Sequence, residues 1–197
     1  MLSNPYFKPL EFPWECFDKL RIVNEVKDSH YTILNGHWKR WGYKSDIFIP
    51  ELHDLLDSVN CEVLAAEVFY TSPGNALSWH TDMGPIAQDF IKINFVWGSD
   101  NHAMEWGESI ATNKQYELQP TQAGTTYVHF KKEEVQFTAA HTLTSPTIVN
   151  VGRPHRVVNY SPTQGRWCLC LIPGVKGRPG RIMFDEALQI FNAYVIN

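Results

Sequence analysis

From Cys61 onward the chain is a succession of short strand-like segments, and this pattern constrains the fold more than any other feature of the sequence. Turn-forming sequences separate the segments, as at Ser72-Pro73-Gly74-Asn75 and Ser161-Pro162-Thr163-Gln164-Gly165. The eight predicted strands are Glu62–Tyr70, Ala76–Asp82, Phe90–Trp97, His102–Glu108, Thr125–Phe130, Thr147–Val151, His155–Tyr160 and Arg166–Ile172. Their number and spacing are typical of an antiparallel sandwich or barrel. We therefore predict a mainly β fold with flanking helices, of the jelly-roll (double-stranded β-helix, cupin-like) type.

The ends of the chain are predicted to be helical. Residues 17–23 suggest a short amphipathic helix, and 183–195 a closing one. The best helical pattern follows Pro50, where Leu52, Leu55, Leu56 and Val59 recur at helical spacing. A length of 197 residues suits a single domain. Within it we expect a helical or irregular flank at 1–60, the β core at 61–173 and a C-terminal helix at 174–197.

Composition narrows the class of protein. A net charge of −4 gives no broad electrostatic signature of nucleic-acid binding, and no apolar run is long enough to span a bilayer. Four cysteines in a chain of this length do not form a disulfide framework, and the N-terminal residues lack a secretory signal pattern. We expect a cytoplasmic protein in a reducing compartment, acting on a small-molecule or peptidyl substrate. The sequence does not specify the substrate or the oligomeric state.

The sequence His80-Thr81-Asp82 provides the first two candidate metal ligands. Side chains two residues apart on a strand point to the same face, so this imidazole and carboxylate can enter one cavity. Two histidines and one carboxylate form the facial triad that suits non-haem Fe(II) and leaves coordination positions open. A His-x-Asp pair alone is weak evidence, because most such pairs are ordinary surface or hydrogen-bonded couples.

His155 is the preferred third ligand because of the strand that follows it. If the two last predicted strands form a regular hairpin, Arg166 lies opposite His155 and shares its face. An arginine fork is suited to binding a carboxylate. His129 and His141 remain possible ligands in principle, whereas His102 is expected to face solvent. The segment 131–145 is interpreted either as a lid or as a solvated connection.

His-x-Asp, a distant His and an Arg eleven residues further on resemble the Fe(II)/2-oxoglutarate-dependent oxygenase superfamily. The spacing of the last pair looks most like the phytanoyl-CoA hydroxylase type. Prolyl hydroxylases share the general pattern but usually have a lysine at the arginine position. The resemblance covers residues 62–172. It implies a dioxygenase that converts 2-oxoglutarate and O₂ to succinate and CO₂ while hydroxylating an unactivated C–H bond. Asp82 favours hydroxylation, because halogenating relatives have a small residue in its place.

By this resemblance, the metal ligands are His80, Asp82 and His155, and Arg166 binds the far carboxylate of 2-oxoglutarate. The resemblance also assigns Tyr70 and Asn94 to the cosubstrate site. The chain departs from the family where many relatives have a serine two residues after the arginine, since Cys168 stands there. Two other functions remain open: a cupin-type metalloenzyme that does not use 2-oxoglutarate, and a non-catalytic β-sandwich binding module.

Overall fold

The computed structural model of the chain describes residues 4–12, 15–27, 36–43, 45–82, 88–110, 118–120 and 126–196. Twelve strands and three α-helices lie within these ranges. The strands are β1 (Phe7–Pro9), β2 (Gly36–Trp41), β3 (Cys61–Thr71), β4 (His80–Asp82), β5 (Ile91–Gly98), β6 (His102–Ser109), β7 (Leu118–Pro120), β8 (Thr126–His129), β9 (Val135–His141), β10 (Thr147–Asn150), β11 (His155–Asn159) and β12 (Arg166–Val175). The helices are α1 (Lys19–Lys27), α2 (Pro50–Ser58) and α3 (Phe184–Ile190).

The strands form two antiparallel sheets of six strands each in the described part of the chain. The first sheet has the order β1-β10-β5-β12-β3-β2, and the second has the order β7-β8-β4-β11-β6-β9. The prediction of a mainly β protein with flanking helices is confirmed at this level. Strands β1 and β2 belong to the segment predicted as a helical or irregular flank, yet both pair into the first sheet.

Two apolar layers cover the two faces of the first sheet. One layer packs the sheet against the helices and includes Phe95 of β5 and Leu52 of α2. The other fills the space between the sheets and includes Val96 of β5 and Trp106 of β6. Because successive strand residues point to opposite faces, β5 is buried continuously from Ile91 to Val96. The layer between the sheets is the one that adjoins the candidate site.

All eight predicted strands are present, with different ends. The largest difference is at Ala76–Asp82, where β4 has three residues and Ala76 makes an isolated bridge to Val158. The three predicted helices are also present. None of the described helices is long and apolar enough to cross a membrane.

The predicted hairpin between the last two strands is wrong. β11 pairs with β4 and β6 in the second sheet, whereas β12 pairs with β3 and β5 in the first. The Asn159 amide, at the end of β11, donates hydrogen bonds to the carbonyl oxygens of Thr71, Ser72 and Gln164 at 3.1, 3.2 and 2.8 Å. These bonds stabilise a crossing between sheets, which a turn-forming sequence alone does not distinguish from a hairpin.

The segment 131–145 is not a loop throughout. It contains a short 3-10 helix at Lys132–Glu134 and then β9, which pairs with β6 at the edge of the second sheet. Most of the β9 side chains are exposed, as at Phe137. An exposed edge strand needs no apolar alternation, which explains why the sequence pattern did not indicate it.

Candidate metal centre

His80, Asp82 and His155 lie together between the two sheets. His80 of β4 and His155 of β11 are directly paired in the antiparallel register, and Asp82 follows His80 on the same face of β4. One ligand atom from each residue lies within 4.8 Å of the other two. The three side chains thus form a group that could hold a metal ion, as the sequence predicted.

Hydrogen bonds to the backbone fix the orientation of both imidazoles. His80 Nδ1 lies 2.7 Å from the carbonyl oxygen of Ser78, and His155 Nδ1 lies 2.9 Å from that of Arg153. A carbonyl oxygen only accepts hydrogen bonds, so each neutral ring carries its proton on Nδ1 and its lone pair on Nε2. Backbone bonds of this kind are the usual outer-shell partners of metal-binding histidines. His80 Nε2 lies 3.7 Å from Asp82 Oδ1, with both atoms directed at the same space.

Burial and charge keep the ligands in the protonation states that a cation requires. Burial alone would raise the pKa of Asp82, but Lys92 and the two imidazoles outweigh it and hold this pKa well below its usual range. Burial, with His80 as a further cause, lowers the pKa of His155 to about 3. At neutral pH the site therefore offers a carboxylate and an uncharged imidazole, the forms that bind metals.

Lys92 of β5 is part of this site, and the sequence analysis missed it. It is 5% exposed, and its ammonium group donates to Asp82 Oδ2 at 2.5 Å and to Glu67 Oε2 at 2.6 Å. Glu67 of β3 is 2% exposed. A signal was available, because Lys92 and Asn94 are two residues apart in an otherwise apolar strand. Polar residues at that spacing share a face, here the one toward the second sheet.

A cavity of about 40 Å³ lies against the triad, larger than the roughly 10–15 Å³ that one water molecule needs. Its lining includes the three predicted ligands, Lys92, and two residues predicted for the cosubstrate site, Asn94 and Arg166. Arg166 is 1% exposed, and its Nε and Nη2 groups have no hydrogen-bond partner within the described residues. Asn94 Oδ1 is also buried without a partner there, while its amide nitrogen lies 3.9 Å from Met104 Sδ. Unpaired polar groups in a buried wall are costly, and a polar ligand in the cavity would satisfy them.

Cys168 and Cys170 also line the cavity, with their sulfur atoms 3.6 Å apart. Burial opposes ionisation of the Cys168 thiol, but the Cys170 hydrogen bond and the Arg166 charge bring its pKa below the ordinary value. The Cys168 thiol occupies the position at which many members of the family that the chain resembles have a serine hydroxyl. Thr71 pairs directly with Arg166 across β3 and β12, and its Oγ1 is buried with no partner in the described chain. A hydroxyl is therefore available beside Arg166 despite the change at Cys168.

The structure does not bring Tyr70 to this cavity. Its neighbour Phe69 lines the cavity, so Tyr70 points to the opposite face of β3. There it pairs with Trp167, with ring centroids 4.7 Å apart.

Three further histidines of the described chain, His102, His129 and His141, are not part of the triad. His102 was expected to face solvent, but it is 5% exposed, and burial and the Arg166 charge lower its pKa to about 4. His129 pairs with His80 from the neighbouring strand β8, without being among the three residues grouped as metal ligands. His141, the last residue of β9, stacks on Phe7 with ring centroids 4.0 Å apart.

Comparison with known proteins identifies no family for this chain. No family model matches it, and no curated protein matches it. Among solved structures, the chain is similar to Peruvianin-I, a cysteine peptidase from Thevetia peruviana latex, with a TM-score of 0.31 and 13% identity over 92% of this chain and 98% of that one. It is also similar to dTDP-4-dehydrorhamnose 3,5-epimerase from Elizabethkingia anophelis NUHP1, with a TM-score of 0.28 and 12% identity over 71% of each chain. At these scores neither likeness carries an argument about fold or function.

Proposed function

We propose that the protein is an Fe(II)- and 2-oxoglutarate-dependent dioxygenase that hydroxylates an unactivated C–H bond. The observation that carries the proposal concerns Arg166, whose buried Nε and Nη2 groups have no hydrogen-bond partner among the described residues and which lines the same cavity as a His-Asp-His group. A metal centre that binds no dicarboxylate gives no reason for two buried N–H groups of a cation to be left without acceptors. In the reaction, 2-oxoglutarate, O₂ and the substrate C–H group would yield succinate, CO₂ and the hydroxylated product.

The order of the strands supports the double-stranded β-helix prediction. Along the chain, β3, β4, β5 and β6 alternate between the first and the second sheet, and so do β9, β10, β11 and β12, beginning from the second. This arrangement of eight strands is the one expected of a jelly roll. It brings β4 and β11 together in one sheet and places β12 across from them. The ligands and Arg166 thus come from strands that this topology makes neighbours.

Each residue has a definite task under this proposal. His80 Nε2, His155 Nε2 and a carboxylate oxygen of Asp82 would hold Fe(II), and the donor set is the one that suits this ion. When bound, the iron would supply the activation of O₂ that couples decarboxylation of 2-oxoglutarate to oxidation of the substrate. Arg166 would bind the far carboxylate with its Nε and Nη2 groups, with Thr71 Oγ1 available as a further donor. Asn94 Oδ1, a buried acceptor without a partner in the described chain, would accept a hydrogen bond from water or from the substrate, since 2-oxoglutarate has no donor.

The apolar walls would exclude water from the bound cosubstrate. Phe69, Leu77, Val151 and Val157 line the cavity between the polar groups. Exclusion of water strengthens the pairing of Arg166 with a carboxylate. The four cysteines are free thiols, in keeping with the reducing cytoplasm that we propose as the location.

Titration of 2-oxoglutarate into Mn(II)-loaded protein tests the proposal. Calorimetry should show one molecule bound per chain, with binding lost in His155→Ala. If the wild type binds Mn(II) but not 2-oxoglutarate, a cupin-type metalloenzyme replaces the proposal. If the wild type binds no divalent metal, the non-catalytic β-sandwich module becomes the better explanation.

A further inference from the structure

The two carboxylate oxygens of Asp82 have different environments. Oδ1 lies 3.7 Å from His80 Nε2, on the side where the two imidazoles direct their lone pairs. Oδ2 accepts a hydrogen bond from the Lys92 ammonium at 2.5 Å. The side chain of Lys92 is 6% exposed, so solvent does not compete strongly for this bond. One oxygen is therefore available to a cation, and the other is already bound to a positive charge.

We propose that Lys92 is a positioning residue that restricts Asp82 to one-oxygen coordination of the metal. The inference rests on the metal centre of the proposed function and deepens it. A charge-assisted hydrogen bond from an ammonium group is among the strong ones in proteins. A metal approaching Oδ2 would have to break this charge-assisted bond and displace a buried cation.

The restriction matters because of the number of coordination positions. Fe(II) held by two histidines and one carboxylate oxygen keeps three positions open in an octahedral arrangement. The proposed reaction needs all three, two for chelation by 2-oxoglutarate and one for O₂. A carboxylate bound through both oxygens would take a fourth position and leave too few. The Lys92 bond to Oδ2 thus preserves the open position.

Glu67 makes a lysine tolerable beside a metal. An isolated ammonium group next to the triad would repel a divalent cation. Lys92 instead lies between two carboxylates, with Glu67 Oε2 at 2.6 Å, and Arg40 Nε approaches Glu67 Oε1 at 3.7 Å. Glu67 therefore helps to hold the lysine at Oδ2 of Asp82 and offsets its charge.

The number of water molecules on bound Mn(II) tests the inference without any turnover. This number can be obtained from the relaxation of water protons in Mn(II)-loaded protein without 2-oxoglutarate. We expect three bound waters in the wild type and two in Lys92→Met, because the freed Oδ2 would replace one water. Lys92→Arg, which keeps a cationic donor, should retain three. Met104→Leu is the matched control, since it changes another lining residue without touching Asp82, and it should also retain three.

The outcomes separate this inference from the proposed function. Three waters in both the wild type and Lys92→Met, or two in the wild type, would overturn the role of Lys92 while leaving the metal centre in place. No Mn(II) bound to the wild type would overturn the metal centre itself. If Lys92→Met does not fold, Lys92→Gln replaces it: its shorter amide cannot reach Oδ2 in the same way, and a count of two is expected again.

Discussion

Replacing Arg166 with methionine should separate the stability of the protein from its affinity for the cosubstrate. Methionine fills much of the same space without charge. Arg166 is 1% exposed, and its Nε and Nη2 groups have no partner in the described chain. The cation is thus unfavourable in the ligand-free protein and becomes favourable when a carboxylate pairs with it. If Arg166 served folding alone, its replacement would lower the stability of the protein and leave 2-oxoglutarate affinity unchanged.

Both effects have a definite size. An unsatisfied buried polar group costs about 1–3 kcal/mol, so the free energy of unfolding of ligand-free Arg166→Met should rise by about this amount. For a protein of this length, the melting temperature should increase by roughly 2–12 °C. Two hydrogen bonds from a charged group to a carboxylate contribute about 3–5 kcal/mol together. Their loss should weaken 2-oxoglutarate binding by about 150- to 5,000-fold.

Calorimetry measures both quantities, first as melting without ligands and then as 2-oxoglutarate binding with Mn(II). Arg156→Met is the matched control. Arg156 donates to Glu105 at 2.7 Å and lies over the Trp79 ring, so its removal should lower stability and leave 2-oxoglutarate affinity unchanged. If Arg166→Met melts at a lower temperature and binds 2-oxoglutarate as tightly as the wild type, the guanidinium has a structural role and the reasoning is wrong.

Three further predictions concern the ligands, the core and pH. His155→Ala should weaken Mn(II) binding at least about 100-fold by calorimetry, since even outer-shell changes cost 10- to 100-fold, whereas His129→Ala should bind Mn(II) like the wild type. Trp106→Phe should lower the free energy of unfolding by about 1–3 kcal/mol in urea, because the buried indole N–H donates to the Asn150 carbonyl at 3.0 Å. The folded-state pKa of His102 is depressed to about 4, so below pH 6.5 the unfolded chain takes up a proton that the folded chain does not. His102→Asn should therefore lose stability less steeply between pH 6.5 and 4.5, by about 1.4 kcal/mol per pH unit, measured by urea unfolding at each pH.

Each of these has a contrary result. Equal Mn(II) affinity in His155→Ala and the wild type would remove His155 from the ligand set. An unchanged unfolding midpoint in Trp106→Phe would mean that the indole hydrogen bond contributes no net stability. Parallel pH profiles for His102→Asn and the wild type would show that this histidine titrates normally in the folded protein.

The sequence predicted the strands whose two faces are buried or whose side chains alternate. β5 and β12 are recognisable because one face packs on helices and the other on the second sheet. β9 escaped prediction because an exposed edge strand with residues such as Gln136 and Thr138 has no such pattern. The crossing after Asn159 looked like a hairpin because a turn-forming sequence identifies a reversal of the chain but not the sheet that the next strand joins.

The sequence predicted the three residues that could hold a metal ion and missed part of their surroundings. His80 and Asp82 share a face because of strand geometry alone, while their meeting with His155 depends on pairing across more than 70 residues of chain. That pairing was accessible through the resemblance and not from local pattern. Lys92 was missed because its partners, Asp82 and Glu67, lie on two other strands. Tyr70 was assigned to the cosubstrate site by the family resemblance, but the register of β3 places it on the face opposite the cavity.

The release of CO₂ from 2-oxoglutarate labelled at C1 tests the central claim most directly. The purified protein is incubated with Fe(II), O₂, the labelled compound and ascorbate, and CO₂ and succinate are both quantified. Slow turnover without a substrate is sufficient, because ascorbate supplies the two electrons that the substrate would otherwise provide. The proposed function predicts equal amounts of CO₂ and succinate, formed in the wild type and not in His155→Ala. Intact 2-oxoglutarate after prolonged incubation of the iron-loaded wild type with O₂ would contradict it.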